Sequence, residues 1–390
     1  MAAKTDIPVT QRIAMISIIA ATLLAALVYG RDFLVPIVLA ILFYGLLSSI
    51  IIRLEGLGMP SWLATAISIG SGIVVLAGMG FIVQNQFGAL QEAWPQYVAR
   101  FENLLAQTEA LTGQEFVSRM QAAVSNLNIG DLVAKIAGSA GSVFNEIILI
   151  ILYTLFLLAE RGILTGKLTR LLPDQKEREL LEAKISVVGN AVRQYLSIKA
   201  AVSTMTGLLT FAVAKFYGLH FAELVGLLAF VLNFIPVIGS AIAVVIPVVL
   251  AVMQFDTLAP ALQLAVLLGV VQAVVGNVIE PRLMGKSLNL SPFVVIVALT
   301  FWTTIWGIPG AFLSVPITAS AVIICRDIKP LRWFAVLLSV DGEPEVKQEE
   351  RKTASTFSWP FGKQDEERAE IRKLRQELEE IKAERASRSG

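Results

Sequence analysis

The sequence holds one cysteine, Cys325, and one histidine, His220. A single ligand of each kind excludes a Cys/His zinc site, a disulfide framework and a Cys-x-x-Cys redox pair. Cys325 reads as a small apolar residue near a helix end, and His220 as an interface residue with no Ser/His/Asp set around it. Charge is scarce too: Asp, Glu, Lys and Arg make 16% of the 390 residues, against about 25% in an average soluble domain. Of those 63 residues, 24 fall in Asp341–Gly390, so the chain before them cannot coat itself with water and must place most of its surface in lipid. A net charge of +1 supplies no field for nucleic acid or an acidic substrate. A soluble enzyme, a metalloprotein and a nucleic-acid binder are all disfavoured, and no cofactor is called for.

What is present is apolar length. A bilayer core about 30 Å thick takes about 20 apolar residues at about 1.5 Å each. Ile13–Tyr29, Phe33–Ile52, Trp62–Val83, Gly141–Ala159, Ala200–Phe216 and Leu258–Ile279 approximate that length; Phe221–Val252 and Leu290–Cys325 are too long for one helix. Ile13–Tyr29 follows Lys4 and Arg12 like a signal peptide, but no soluble domain stands behind it, so it reads as an uncleaved span. Gln84–Ser142 carries only Arg100, Arg119 and Lys135, whereas Arg161–Lys199 carries eight basic residues. The first loop is therefore expected outside, the second in the cytoplasm, and both termini inside.

The expected organisation is membrane helices over 1–86, an outer helical cap over 87–142, a span at 143–160, a cytoplasmic amphipathic helix at 161–199, a core at 200–335 and a charged tail at 336–390. In the cap, Phe87, Leu90, Trp94, Val98, Phe101, Leu105 and Leu111 recur at helical spacing, then Phe116, Met120, Ala123 and Leu127, with nothing polar converging there. The cytoplasmic helix starts at a capping-box-like Asp174–Glu177 behind Pro173 and buries Leu181, Ile185, Val188, Val192 and Tyr195. It is expected along the membrane surface, with Arg178 and Arg193 toward anionic lipid. In the tail, Ile371, Leu374, Leu378 and Ile381 fill a and d positions of two heptads, fewer than a secure coiled coil needs; a solvated single helix is the alternative.

Gly285-Lys-Ser287 resembles the end of a phosphate-binding loop, but position 280 is Glu280 where that motif needs glycine, and no strand precedes it. Asn289–Ser291 matches a glycosylation acceptor by chance. The informative features are the two long runs. The first carries Asn233, Ile235, Pro236, Gly239 and Pro247; the second carries Gly307, Pro309, Gly310 and Pro316. Proline removes a backbone donor and glycine permits unusual dihedrals, so the helical ladder opens near the centre of each. Open backbone at membrane depth survives only inside protein or along a watery cavity. Each run follows a full span, Ala200–Phe216 and then Leu258–Ile279. If each is a hairpin, the first enters from outside and the second from inside, as in the inverted repeats of secondary transporters. The alternative is two ordinary kinked spans per run. The hairpin version gives an all-α polytopic membrane protein with six full spans and two re-entrant hairpins.

Between the two units, Gln272, Asn277, Glu280 and Arg282 put polar groups in or beside a span, where they are functional candidates by default. Glu280 and Arg282 are expected to pair across Pro281, with Gln272 and Asn277 facing the interior. Arg282 and Lys286 also read as positive-inside anchors.

At these residues the chain resembles a known family. Asn233–Ser240, Gly276–Gly285, Ser291–Val295 and Trp302–Pro316 resemble the hallmark stretches of the autoinducer-2 exporter (AI-2E) family of bacterial transporters. Tyr195–Lys199 is similar to the branch holding the exporter itself. The resemblance covers roughly residues 10–335. It implies a multi-spanning inner-membrane protein, assembled as a homo-oligomer of five protomers, that exports a small polar signalling molecule. Other members have been linked to sodium or lithium/proton antiport, which leaves the solute open. Gly307-Ile-Pro309-Gly310 departs from the more usual Gly-Pro-x-Gly, and the charged tail has no strong counterpart.

The leading reading is a secondary transporter working by alternating access on a small polar solute. Asn233, Pro236, Gly239, Gly307, Pro309 and Gly310 shape its cavity, while Asn277 and Glu280 contact solute or a coupling ion. Cation/proton exchange is the alternative within transport. A non-transporting membrane scaffold, built on cap and tail, is the alternative outside it.

Overall fold

The computed structural model describes residues 9–112, 146–160, 174–284 and 290–340, with a few single positions besides. The Gly285–Ser287 motif with Lys286, most of the second cap stretch and the tail heptads lie outside the described residues. Among those described, the regular elements are all helices, and Leu290 with Ser339 forms an isolated bridge. In chain order they are α1 (Val9–Tyr29), α2 (Arg31–Gly56), α3 (Ser61–Thr112), α4 (Glu146–Ala159), α5 (Gln175–Phe216), α6 (Ala222–Leu232) and α7 (Ile238–Gln254). There follow α8 (Ala259–Val274), a π-turn (Val275–Ile279), α9 (Glu280–Met284), α10 (Pro292–Asp327), a 3-10 turn (Lys329–Leu331) and α11 (Arg332–Leu338).

Five of the described helices are long and apolar enough to cross a membrane, and shorter apolar helices accompany them. Ile18, Trp62, Val74, Phe156, Leu208, Leu262 and Phe293 all turn outward. Such a surface suits lipid, because helices satisfy their own backbone groups there.

Two helices are longer than their sequence segments suggested. In α5, Asp174 caps the start by accepting the Lys176 N–H at 3.2 Å, and no proline interrupts the 42 residues that follow. The expected surface helix and the span it feeds into are therefore one continuous helix. Likewise α3 runs 52 residues, carrying Trp62–Val83 straight into the first stretch of the cap.

The two broken runs fold back on themselves. At the feet of the first, the His220 N–H donates to Gln254 Oε1 at 2.7 Å, and Phe221 and Leu224 pack against Met253. At its tip, the Ile238 N–H bonds the Pro236 carbonyl at 2.6 Å, which holds Val237 at φ 61°, ψ −60°. That is a γ-turn of the rare, strained hand, on a β-branched residue that seldom takes positive φ. In the second run the chain breaks at Gly307 (φ 64°, ψ −142°), and Trp302 Nε1 donates to Thr318 Oγ1 at 3.2 Å across the fold. Both tips close on a glycine. A methyl group on Gly239 would lie 1.8 Å from the Leu232 carbonyl oxygen, and one on Gly310 would lie 1.9 Å from that of Trp302.

The feet of the first hairpin pack near the C-terminal end of α5, where Ala214, Leu219, Ala251 and Ala261 share a core. The base of the second lies by its middle, with Leu290 and Val295 against Tyr195 and Leu196. The tips meet between: Phe234 stacks on Phe312 with centroids 5.1 Å apart. Helix α1 is tied to the second hairpin by Trp306 Nε1, which donates to the Leu27 carbonyl at 2.9 Å.

Candidate functional site

One face of α5 carries Lys199, Ser203, Thr206 and Thr210 at spacings that stack them on one side of a helix. All are buried; Lys199 is 5% exposed and Ser203 is fully enclosed. Thr206 turns its hydroxyl back onto the Val202 carbonyl at 3.0 Å. Ser203 instead accepts from Asn233 Nδ2 at 3.0 Å, which joins the stripe to the tip of the first hairpin. One turn before it, Lys199 Nζ donates to Glu280 Oε1 at 2.5 Å.

The π-turn explains why Glu280 faces Lys199. Its amide bonds the Val275 carbonyl, five residues back rather than four, so the Glu280 side chain stands over the buried Val275. Pro281 has no N–H to return to the ladder. With the Glu280 amide turned to Val275, the Gly276 carbonyl is left without a donor from its own helix. An ionic pair, a buried amide–hydroxyl pair and an opened helix thus converge where the hairpin tips meet α5.

The structure distributes the sequence candidates unevenly. Asn233, Gly239 and Gly310 are buried at the hairpin tips, Pro236 and Pro309 are half-buried beside them, and Gly307 is exposed. Gln272 is half-buried on α8. Asn277 is exposed rather than interior. The extra residue of the π-turn breaks the spacing that would have put it under Glu280, and two residues beyond buried Val275 it points away from the bundle. Arg282 is exposed as well, so the expected Glu280–Arg282 pair gives way to Glu280–Lys199. Counting put Lys199 among the cytoplasmic loop cations. The missed signal was its place in the buried stripe Tyr195, Leu196, Lys199, Val202, Ser203.

Polar groups also gather where the C-terminal part of α3 meets the feet of the first hairpin, although the sequence suggested that nothing polar converges on that stretch. Tyr97 Oη and His220 Nδ1 are 2.8 Å apart, and Arg100 donates to the Gln254 carbonyl. Gln86 Nε2 donates to Glu223 Oε2 at 3.2 Å, while Lys215 bridges Glu223 Oε1 at 3.1 Å.

A helical bundle with an apolar exterior, two folded-back hairpins and a charged pair inside defines a multi-pass membrane protein of the transporter class. The chain belongs to the AI-2E transporter family, whose model matches residues 16–329. It is 29% identical over 321 residues to the AI-2 transport protein TqsA of Escherichia coli strain K12, covering 81% of this chain and 92% of that protein. A Borreliella burgdorferi protein whose name assigns it a transport role is 33% identical over 195 residues, 50% of this chain and 54% of that relative. A Haemophilus influenzae protein named in the same way is 28% identical over 329 residues, 81% of this chain and 92% of its own length.

Proposed function

We propose that this protein is a secondary transporter that exports a small polar solute, with autoinducer-2 the leading candidate, by alternating access around the hairpin tips. The Lys199–Glu280 pair, a buried lysine on a part-buried carboxylate, carries the reading. A charged pair inside a membrane bundle is expensive, since removing both charges from water costs several kcal/mol per ion. Its worth to the protein is then sought in what it binds. Lys199, Glu280, Asn233 and Gln272 contact the solute or a coupling ion, while Pro236, Gly239, Gly307, Pro309 and Gly310 hold the tips open to it. Asn277 and Arg282, on the outer face, serve lipid or a neighbouring protomer instead.

In this reading the hairpins are re-entrant from opposite sides of a bacterial inner membrane, with both termini cytoplasmic. The units α5–α7 and α8–α10 form an inverted repeat, supported by the matching glycine contacts at Gly239 and Gly310. Homo-oligomeric assembly, as a ring of five, belongs to the same proposal. Autoinducer-2 is named because TqsA carries that solute in its name.

The test is flux of labelled autoinducer-2 and of sodium in the same proteoliposomes, with and without a proton gradient. Gradient-dependent autoinducer-2 flux that Glu280→Gln slows, or shifts in pH dependence, is the expected result. Wild-type flux from Glu280→Gln across a full pH series removes the assigned role. Sodium flux without autoinducer-2 flux favours cation/proton exchange, which has less support because the carboxylate at the tips is matched by a lysine. Full flux after deleting Asp341–Gly390 argues against a scaffold role for the tail, whereas no flux of either solute from the intact chain favours the scaffold reading.

A further inference from the structure

We infer that Lys199 is a tethered cation: its ammonium occupies the place that a monovalent metal cation would take on Glu280. The inference rests on the transport reading for its purpose, but its chemistry stands on the site alone. Glu280 offers its carboxylate to Lys199, and its own amide bonds the Val275 carbonyl rather than the Gly276 carbonyl that an α-helical ladder would use. Carboxylate and carbonyl oxygens are the hard donors that sodium and lithium prefer, as hard cations generally do. The position facing Glu280 is already filled by Lys199 Nζ, 2.5 Å from Oε1. That side chain is 7% exposed, against 19% for Glu280, so the ammonium is the deeper member of the pair.

Two consequences follow. The wild-type protein needs no sodium or lithium at this site, because the positive charge is covalently supplied. Export is then indifferent to sodium, and any coupling ion must act without displacing a bound metal. Conversely, removing the ammonium leaves Glu280 as a part-buried, uncompensated anion, a state costly enough for the site to recruit a replacement cation. A single substitution at Lys199 should therefore turn a sodium-independent protein into a sodium-responsive one.

The test uses the purified full chain in detergent at fixed pH. Thermal unfolding is followed in sodium chloride, lithium chloride and N-methylglucamine chloride at equal ionic strength, and sodium-22 binding is measured alongside. The wild type is expected to melt at one temperature in all three salts. Lys199→Ala, and Lys199→Met as the variant that keeps the side-chain volume, are expected to melt about 5 °C higher in sodium or lithium than in N-methylglucamine, given saturating cation. They should also bind about one sodium per chain, and Glu280→Gln added to either should abolish both responses. A folded Lys199→Met that ignores sodium and lithium overturns the inference, and so does a wild type that responds as strongly as the variant. Flux is read separately. Proteoliposomes that move no solute would remove the transport reading while leaving the cation response to decide the role of Lys199.

Discussion

Phe234 and Phe312 stack with their planes 16° apart, one at the tip of each hairpin. The contact is the point at which two segments based on different stretches of α5, its middle and its C-terminal end, touch. Aromatic pairs of this kind contribute about 0.5–1.5 kcal/mol beyond the area they bury. That is enough to bias a conformational equilibrium and too little to lock one.

Removing one ring should therefore loosen the tips without unfolding the bundle. In a Cys325→Ser background with a reporter cysteine at Ile235, Phe312→Ala is expected to raise the thiol-labelling rate about 2- to 10-fold, the kinetic equivalent of the stacking energy. An unchanged rate would mean that the stack does not hold the tips together.

The ionic pair makes a prediction about stability that is separate from transport. Lys199→Met or Glu280→Gln alone leaves one buried charge without its partner, a loss of about 3–5 kcal/mol. The double variant removes both charges and should recover much of it. Thermal unfolding in one detergent, without added sodium or lithium, compares the three proteins. Additive losses in the double variant would show that the two groups do not interact.

The π-turn can be separated from the residue it aims. Deleting the exposed Val278 shortens the Val275-to-Glu280 step by one, so an ordinary helical turn would still set the carboxylate over Val275. The Gly276 carbonyl would still lack a helical donor, because the residue four positions on becomes Pro281. The expected protein is folded, keeps the Lys199–Glu280 pair and transports at about the wild-type rate. Lost flux from a folded deletion variant would show that the π-turn does more than aim Glu280.

The hairpin tips should respond in opposite directions to glycine chemistry. Gly239→Ala and Gly310→Ala put a methyl group inside 2 Å of a carbonyl oxygen, and overpacking of this kind costs about 1–3 kcal/mol or more. Both should lower the melting temperature and abolish flux while still inserting in the membrane. Val237→Gly relieves a positive φ that a β-branched side chain resists, and should raise stability by about 1 kcal/mol. Its flux would show whether the strain serves the cycle.

Sequence reading located the breaks because proline and glycine act locally: Pro236 and Gly239, Gly307 and Pro309 disrupt a helix wherever it sits. It also found Asn233 and Glu280, since a polar side chain amid apolar ones is conspicuous without a structure. It misplaced Asn277 because a helical wheel assumes a constant 3.6 residues per turn, and the π-turn departs from that at this very point. It overlooked Lys199 because the partner that gives the lysine meaning lies 81 positions away, and a basic residue at the end of a basic segment looks like one more loop charge. The polar contacts of the cap were hidden likewise, since Tyr97 and His220 are far apart in the chain.

From Ser61 to Tyr97 the unbroken α3 measures about 54 Å at about 1.5 Å per residue, and Tyr97 and Arg100 grip the feet of the first hairpin. A rod of that length is a lever arm. Tilting it by about 5° about its start would carry the far end through roughly 5 Å, about the width of a small solute. A slight change of slope near Ser61 would thus be felt at the opposite end of the molecule as a displacement large enough to admit or refuse a passenger.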